Sequence, residues 1–364
     1  MPRKSPRSGI PDAGKKICVV YDESSLDITS ELELAFNGKL ASETKASLID
    51  TSTTSVIEQV DTVVAVLAEA GFNVSTLITS SNINQLIDKL HEEKPDLIFN
   101  FCEAIEGDSF QEMNVAGLYD LLGILYTGSN PLTLGSCLNK VRTKEILTFH
   151  KINVPPYRVF NSPDEVSRKK LNFPAIAKPI HEDASIGISN TSVVYDRDHL
   201  QVLLADMLKK FKQPILVEQF VEGREFNVAI VGNDEVVALP VSEIDFSTMP
   251  TGYQHIVTYE AKWMPDSVEY KATVPICPAK ISRRIEQKLQ NTAIKAYQAM
   301  QCRDYARVDM RVDKTGKVFV LEVNPNPDLS PSGSGFSRSA NAFGWTYGQL
   351  INNIVQAAFR RRLG

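Results

Sequence analysis

Paired cysteines are missing from this chain. The five present, Cys18, Cys102, Cys137, Cys277 and Cys302, are odd in number and never fall at C-x-x-C spacing, which excludes a disulfide framework and argues against a zinc site. Buried free thiols in a reducing compartment are the reading that remains. A basic excess is missing too. Lys and Arg number 39 against 44 Asp and Glu, a formal net charge of -5, which sets aside wholesale binding of nucleic acid. No apolar run approaches the roughly 18 residues of a membrane span. The basic residues before Lys16 are followed by no apolar h-region, so residues 1–15 read as a disordered tail and not as a signal peptide, and the expected location is the cytoplasm. Gly-x-Ser-x-Gly, Walker A and His-Glu-x-x-His patterns are all absent. What is present, 364 residues with 43% hydrophobic and 23% charged, suits two to three globular domains with real cores.

The order of elements starts as βα units. Lys16–Tyr21 is a short apolar run that reads as a buried parallel strand. The polar stretch from Asp22 to Ser55 reads as a long loop or an irregular helix. Val56–Ala70 has helical spacing and stops at Gly71. Phe72–Ile78, a helix Ile83–Glu93 and a strand Pro95–Phe101 follow, then the acidic loop Cys102–Asp108, a helix Ser109–Leu122 and a short strand Gly123–Gly128. This alternation predicts a parallel sheet with crossover helices. After Pro155-Pro156 the pattern becomes α+β. Phe173–Lys178 and Ile215–Val221 are strands flanking a helix Arg197–Phe211, and Glu225–Val231 with Glu235–Val241 form a hairpin around Gly232-Asn233. A helix Ile281–Met300, two strands, a polar loop Ser330–Ser339 and a closing helix Thr346–Arg361 complete the chain. The fold class is therefore α/β and α+β.

Residues 307–324 carry the most chemistry. Two alternating strands flank a Lys-Thr-Gly turn, and a two-residue Thr315-Gly316 loop sets Asp309 opposite Glu322 and Arg307 opposite Asn324. All four then share one face. Two carboxylates and an amide oxygen are hard donors that suit magnesium on nucleotide phosphates. An exposed sheet face with cross-strand salt bridges fits the same pattern. Lys178 ends an apolar strand before a flexible loop, a place where phosphate oxygens meet a point charge and backbone N–H groups. Lys140 by itself reads as a surface lysine, Glu218–Glu225 as a turn with solvated acids, and His181 and His255 as ordinary loop histidines.

Taken together, residues from about Phe99 to the closing helix resemble the ATP-grasp superfamily, most closely the D-alanine–D-alanine ligase family. The segments EGDSFQEMNVAGLYDLLGILYTGSNPLTLGSCLNK, FPAIAKP, VEQFVEGREF, TYEAKW and RVDMRVDKTGKVFVLEVNPNP carry the likeness. The resemblance implies an ATP-grasp fold behind an N-terminal parallel-sheet domain, divided as 16–135, 136–222 and 223–364. It implies ATP and magnesium, two ions with manganese as the alternative, and a reaction in which ATP phosphorylates a carboxylate and an amine attacks the acyl phosphate. Lys140 and Lys178 correspond to the lysines on the ATP phosphates. Glu218 corresponds to the acid facing the adenine amino group, Phe220 and Val221 to the hinge lining the base, and Glu225 to the ribose ligand. Asp309, Glu322 and Asn324 correspond to the metal ligands, Arg307 to the arginine at the developing oxyanion, and Lys262 to the lysine of a closing loop. Ser185 is the retained member of two loop serines. Small amino-acid or peptide substrates and a homodimer through the N-terminal domain are expected; nucleic acid and membrane are not.

The departures gather where the amino acids bind. No glutamate after the first strand matches the one that holds the first D-alanine. Trp263 stands in place of a tyrosine, Ala184 in place of the first loop serine and Asp328 in place of a glycine. Residues 330–335 replace the segment that grips the second carboxylate. The expectation is thus a carboxylate–amine ligase whose substrates are not both D-alanine. A true D-alanine–D-alanine ligase and a nucleotide-binding module without turnover are the alternatives.

Overall fold

The structure, a computed structural model, describes residues 12–22, 42–331 and 333–361. Most of the expected 1–15 tail and residues 23–41 of the polar stretch lie outside the described residues. The part of the tail inside them, Asp12–Lys15, forms a turn whose Gly14 N–H donates to the Gly71 carbonyl.

Three strands form the expected parallel sheet, in the order Asn73–Thr79, Lys16–Asp22, Leu97–Phe101. The central strand is apolar on both faces because both are covered. Ile17 and Val19 enter one core with Val63, Leu67 and, from the far end of the chain, Leu350, Ile354 and Val355. Cys18 and Val20 enter the opposite core with Leu86, Leu90 and Tyr119. The helix expected to begin at Val56 begins at Ser42 and runs to Glu69, so the polar half of the stretch continues a helix that its apolar half anchors. The strand expected over Gly123–Gly128 is reduced to one bridge, between Ile98 and Tyr126, and the chain leaves the sheet at Gly128, where φ is +89°.

A four-stranded antiparallel sheet follows, in the order Tyr157–Phe160, Ile215–Gln219, Ala175–Pro179, Val193–Val194. The helix Arg197–Phe211 covers it with Leu200, Leu204, Met207 and Phe211. The last sheet runs Val274–Ile276, Ser242–Asp245, Gly223–Val231, Tyr305–Asp313, Val318–Asn324, with Val237–Ala238 on its third strand. The expected hairpin at Gly232-Asn233 forms, but its second arm is only two residues long before the chain moves on. The helix Arg283–Ala299 packs on this sheet through Leu289, Ala293, Ala296 and Tyr297. The polar loop expected over Ser330–Ser339 is also shorter than expected. Ser334 caps a helix Gly335–Phe343 by accepting from the Ser337 N–H, as a serine just before a helix does. The closing helix is Tyr347–Arg360.

Three distant parts of the chain are tied together at Asp304, which is fully buried. Its carboxylate accepts from the Gly128 N–H at 2.8 Å and from Asn233 Nδ2 at 2.9 Å, and Arg361 Nε lies 3.2 Å away. One side chain thereby fixes the exit of the parallel sheet, the hairpin turn and the end of the last helix. Removing one member of a buried pair leaves the other charge uncompensated, which costs about 3–5 kcal/mol. Asp304→Ala should lower unfolding stability by about that much in urea titrations, and a loss of under about 1 kcal/mol would show that the three segments are held by packing alone.

Candidate active site

The hairpin that carries Asp309 and Glu322 reaches the expected register by an unexpected route. Its loop has three residues, since the Asp313 N–H pairs with the Lys317 carbonyl and Gly316 takes φ of +79°, a common three-residue hairpin form. That loop alone would offset the partners by one. A bulge between Asp309 and Met310, where the partner jumps from Glu322 to Val320, restores the pairing of Asp309 with Glu322 and of Arg307 with Asn324. Bulges re-aim side chains next to functional sites in this way.

Arg307 and Asp309 form a two-pronged ion pair: Nε donates to Oδ1 and Nη2 to Oδ2, both at 2.8 Å. Asn324 Nδ2 donates to Asp309 Oδ2 at 3.1 Å. Glu322 and Asn324 line a cavity of about 40 Å³ together with Lys140, Glu112 and Asp183, room for an ion-sized or water-sized guest. Lys140 opens the helix Lys140–Phe149, and its Nζ donates to the Glu182 carbonyl. Burial by itself would raise the Glu322 carboxyl. Lys140, Lys262, Lys178 and Arg307 overcome that and bring it down to about 2. Burial raises Asp309, Arg307 opposes the rise, and the charge of Glu322 adds to it.

A second cluster lies on the central sheet. Glu218 is buried between two lysines, with Oε1 2.7 Å from Lys178 Nζ and Oε2 2.6 Å from Lys144 Nζ. The two cations outweigh burial and hold its carboxyl down to about 2. Lys144 also donates to the Leu321 carbonyl at 3.4 Å, which joins this cluster to the Glu322 strand. Phe220 and Val221 are buried beside it, and the Phe220 N–H donates to the Pro174 carbonyl. Glu225 stands in register with Arg311, whose Nε is 3.6 Å from Glu225 Oε2 and whose guanidinium lies 4.7 Å from the Phe220 ring centre. Burial raises the Glu225 carboxyl against the pull of Arg311.

Ser185 sits in the left-handed region, φ +65°, and its Oγ donates to the Val257 carbonyl at 3.0 Å. Trp263 Nε1 donates to the Ala184 carbonyl at 3.3 Å. The 184–185 loop is therefore latched to the short helix Tyr259–Trp263, which carries Lys262. All twelve singled-out residues except Ser185 thus fall into two groups: Arg307, Asp309, Glu322 and Asn324 on one hairpin, with Lys140 lining the same cavity as Glu322 and Lys262 near enough for its charge to act on it, and Lys178, Glu218, Phe220, Val221 and Glu225 gathered about the buried Glu218. Ser185 stands apart, engaged with the 257 segment.

Sequence reasoning missed Lys144 and Arg311. Both carried a signal. Lys144 is four residues after Lys140 on one helix face, and Arg311 is two residues after Asp309 on one strand face.

On the parallel-sheet side the cleft is acidic. The Glu103 N–H donates to Asp22 Oδ2 at 2.9 Å, and Glu112 Oε1 accepts from Asn326 Nδ2 at 3.2 Å. Burial raises the Glu112 carboxyl to about 8, with Asn326 opposing and Asp183 and Asp22 adding. Glu103 is exposed beside it, within reach of the charges of Glu112, Asp22, Asp183 and Asp328. Among the described residues no three His, Cys, Asp or Glu side chains group as a metal site; the Asp309–Glu322–Asn324 set has two acids and an amide.

Comparison with known proteins follows the same lines. A family model described as the D-ala D-ala ligase C-terminus matches residues 146–356. The chain is 34% identical over 311 residues to the uncharacterized protein y4sG of Sinorhizobium fredii, covering 84% of this chain and 88% of that one. It is 30% identical over 296 residues to D-alanine–D-alanine ligase B of Brucella melitensis, covering 80% and 87%. It is 33% identical over 268 residues to the D-alanine–D-alanine ligase of Aquifex aeolicus, covering 73% and 84%. The crystal structure of the Bacillus anthracis D-alanine–D-alanine ligase complexed with ATP superposes with a TM-score of 0.66 at 22% identity, covering 95% of this chain and 98% of that one. At that identity the match speaks for the fold, and the fold is the expected ATP-grasp arrangement.

The raised Glu112 carboxyl makes stability depend on pH. Its native value of about 8 exceeds the ordinary 4.5, so between those values the native state binds more protons than the unfolded chain, and stability falls as pH rises. The contribution is fully present below about 4.5 and lost as pH passes through 8. Thermal unfolding from pH 5 to pH 9 should show that decline in the wild type and a flatter profile in Glu112→Gln; parallel profiles would remove this assignment.

Proposed function

This chain belongs to the D-alanine–D-alanine ligase family, whose members are ATP-dependent, ADP-forming carbon–nitrogen ligases, and we propose from that premise that its cleft joins a carboxylate to an amine with substrates that are not both D-alanine. The observation that carries the reading is the hairpin that sets the Arg307–Asp309–Asn324 network in register with Glu322, on a cavity that Glu322 and Asn324 share with Lys140. A site for triphosphate and its counter-ion needs both signs of charge close together and held in advance.

The donor set fits magnesium. Asp309, Glu322 and Asn324 offer hard oxygens, and Glu322 is ionised at any physiological pH because its carboxyl is held to about 2. These three residues would hold the ion, or two ions, with manganese as a substitute. Magnesium supplies neutralisation of phosphate charge. Lys140, Lys178 and Lys262 meet the phosphate oxygens. Lys178 is shared with Glu218 through Oε1, whereas Lys144 is buried and stays on Oε2, so Glu218 keeps a counter-ion while Lys178 turns to a ligand. Glu218 then accepts from the adenine amino group, the Phe220–Val221 backbone lines the base and Glu225 takes the ribose. Arg307 stabilises the charge that develops when the donor carboxylate takes the terminal phosphoryl group and when the amine displaces phosphate from the acyl phosphate. Ser185 and Lys262 lie on two segments tied together through Trp263 and Ala184, which suits a cover that excludes water from a hydrolysable intermediate.

The acids Asp22, Glu103, Glu112 and Asp328 at the carboxyl end of the parallel sheet, where ligands of open α/β sheets bind, suit the ammonium group of an amino-acid donor. On the same reading the protein acts in the cytoplasm on small amino-acid or peptide substrates. Residues 16–135 form the substrate and homodimer lobe, and 136–222 with 223–364 grasp the nucleotide. Among the described residues no helix is long and apolar enough to cross a membrane.

Amine-dependent phosphate release from ATP, screened over D- and L-amino acids with mass spectrometry of the product, tests the reading. At least one amine other than D-alanine should give a condensed product; a response to D-alanine alone would make this a true D-alanine–D-alanine ligase. Asp309→Asn and Glu322→Gln should each lower turnover by about three orders of magnitude, on the scale of losing a principal electrostatic group, with the unfolding transition retained. Turnover within about threefold of the wild type in either variant would sink the metal assignment.

A further inference from the structure

One cavity is unused by this account. It measures about 300 Å³ and lies between the helix Gly335–Phe343, the start of the helix Tyr347–Arg360 and Pro331, lined by Pro331, Ser337, Arg338, Asn341, Trp345 and Tyr347. Two of its lining residues carry donors that are shielded from solvent yet have no hydrogen-bond partner: Arg338 at Nε and Tyr347 at its hydroxyl. Arg338 donates through Nη1 to the Gly333 carbonyl, and among the described residues no carboxylate pairs with it. A guanidinium is always charged, and a shielded donor without a partner is costly. Burial raises the Tyr347 hydroxyl, so it stays neutral and can donate.

A planar guanidinium edge, a phenol donor and an amide from Asn341 match one ligand chemistry, a carboxylate, which Arg binds with its paired N–H groups. The wall of Trp345 and Pro331 is apolar, so the carboxylate arrives on a carbon stem. The size says the same, because about 300 Å³ is the lower end of small-molecule pockets and far more than a carboxylate alone fills. Arg338 lies within reach of the charges of Arg307 and Asp328. The cavity also lies where the 330–335 segment departs from the family pattern.

Resting on the ligase reading, we propose that this cavity receives a distal carboxylate of the amine substrate, held by Arg338 and Tyr347, so that the acceptor is either an amino acid with an acidic side chain or a short peptide bound by its C-terminal carboxylate. Arg338 is thus a specificity-determining residue, separate from the phosphate and metal groups.

Two arms test this. In the first, glutarate and its neutral diamide are titrated into the protein without nucleotide and followed by calorimetry. Glutarate should bind saturably and the diamide should not, and glutarate should bind at least about tenfold more weakly to Arg338→Met, on the scale of one charge-assisted contact. Tyr347→Phe, which keeps the ring in place, should weaken it by a smaller factor and Arg338→Lys should restore part of it. In the second arm, phosphate release is compared for glutamate against glutamine and for dipeptides against their C-terminal amides. The acid should be preferred by at least about tenfold in one of these pairs, which identifies the source of the carboxylate. In Arg338→Met the preference should vanish through a higher KM for the acceptor, with the KM for ATP unchanged. Equal binding of glutarate and its diamide, or an acid preference that survives in Arg338→Met, would overturn the proposal. If no amine supports turnover the ligase reading fails, and the glutarate arm still decides the pocket.

Discussion

The site depends on cancelling buried negative charge with cations brought from separate parts of the chain. Glu322 is held ionised by Lys140 at the start of a helix, Lys178 at the end of a central-sheet strand, Lys262 on a short helix and Arg307 on the neighbouring strand. An ionised carboxylate removed from water is costly unless it is paired, so these elements cannot drift apart without leaving charge uncompensated. Glu218, between Lys144 and Lys178, repeats the device on the four-stranded sheet, and Lys178 acts on both. The arrangement is prepared for a ligand that brings its own negative charge and counter-ion: the cations are already gathered, and what changes on binding is which anion each one faces.

How much of this could be read from residues alone varied with the range of the interaction. Strands covered on both faces, such as Lys16–Asp22, announce themselves as short unbroken apolar runs, and Arg197–Phe211 was legible to its ends because Asp196 caps it and its apolar spacing is regular. The Asp309–Glu322 pairing was legible too, but for a reason that fails in detail. The turn has three residues and the bulge beside Asp309 cancels the offset, and neither is visible in an alternating pattern. The helix Gly335–Phe343 was hidden because Gly335, Ser337 and Ser339, in a run already rich in Gly and Ser, by themselves favour a loop; the Ser334 cap and packing through Phe336 and Ala340 override that preference.

Lys144 and Arg311 were overlooked for a common cause. Each is a cation whose partner acid comes from a different element of the fold, so nothing local marks it as more than a surface residue. Burial decides the matter: both side chains are almost wholly enclosed, and an enclosed cation signals a partner that only the tertiary structure can name.

The two sides of the cleft differ in sign, and this explains why the residue pattern spoke clearly about the nucleotide and poorly about the amino acids. Phosphate and magnesium chemistry admits few solutions: hard oxygens on one side, point charges on the other, at spacings that strand pairing fixes. Recognition of an ammonium or a carboxylate can be met by any acid or base that the fold brings near, and here the acids come from the ends of two parallel strands, a helix and a loop. The Glu112 carboxyl at about 8 beside Glu322 at about 2 shows how sharply the cleft divides: few countercharges offset burial on the first side, and four do on the second. The boundary between the two sides runs between Asn326, which donates to Glu112, and Asn324, which donates to Asp309, two residues apart in one chain segment.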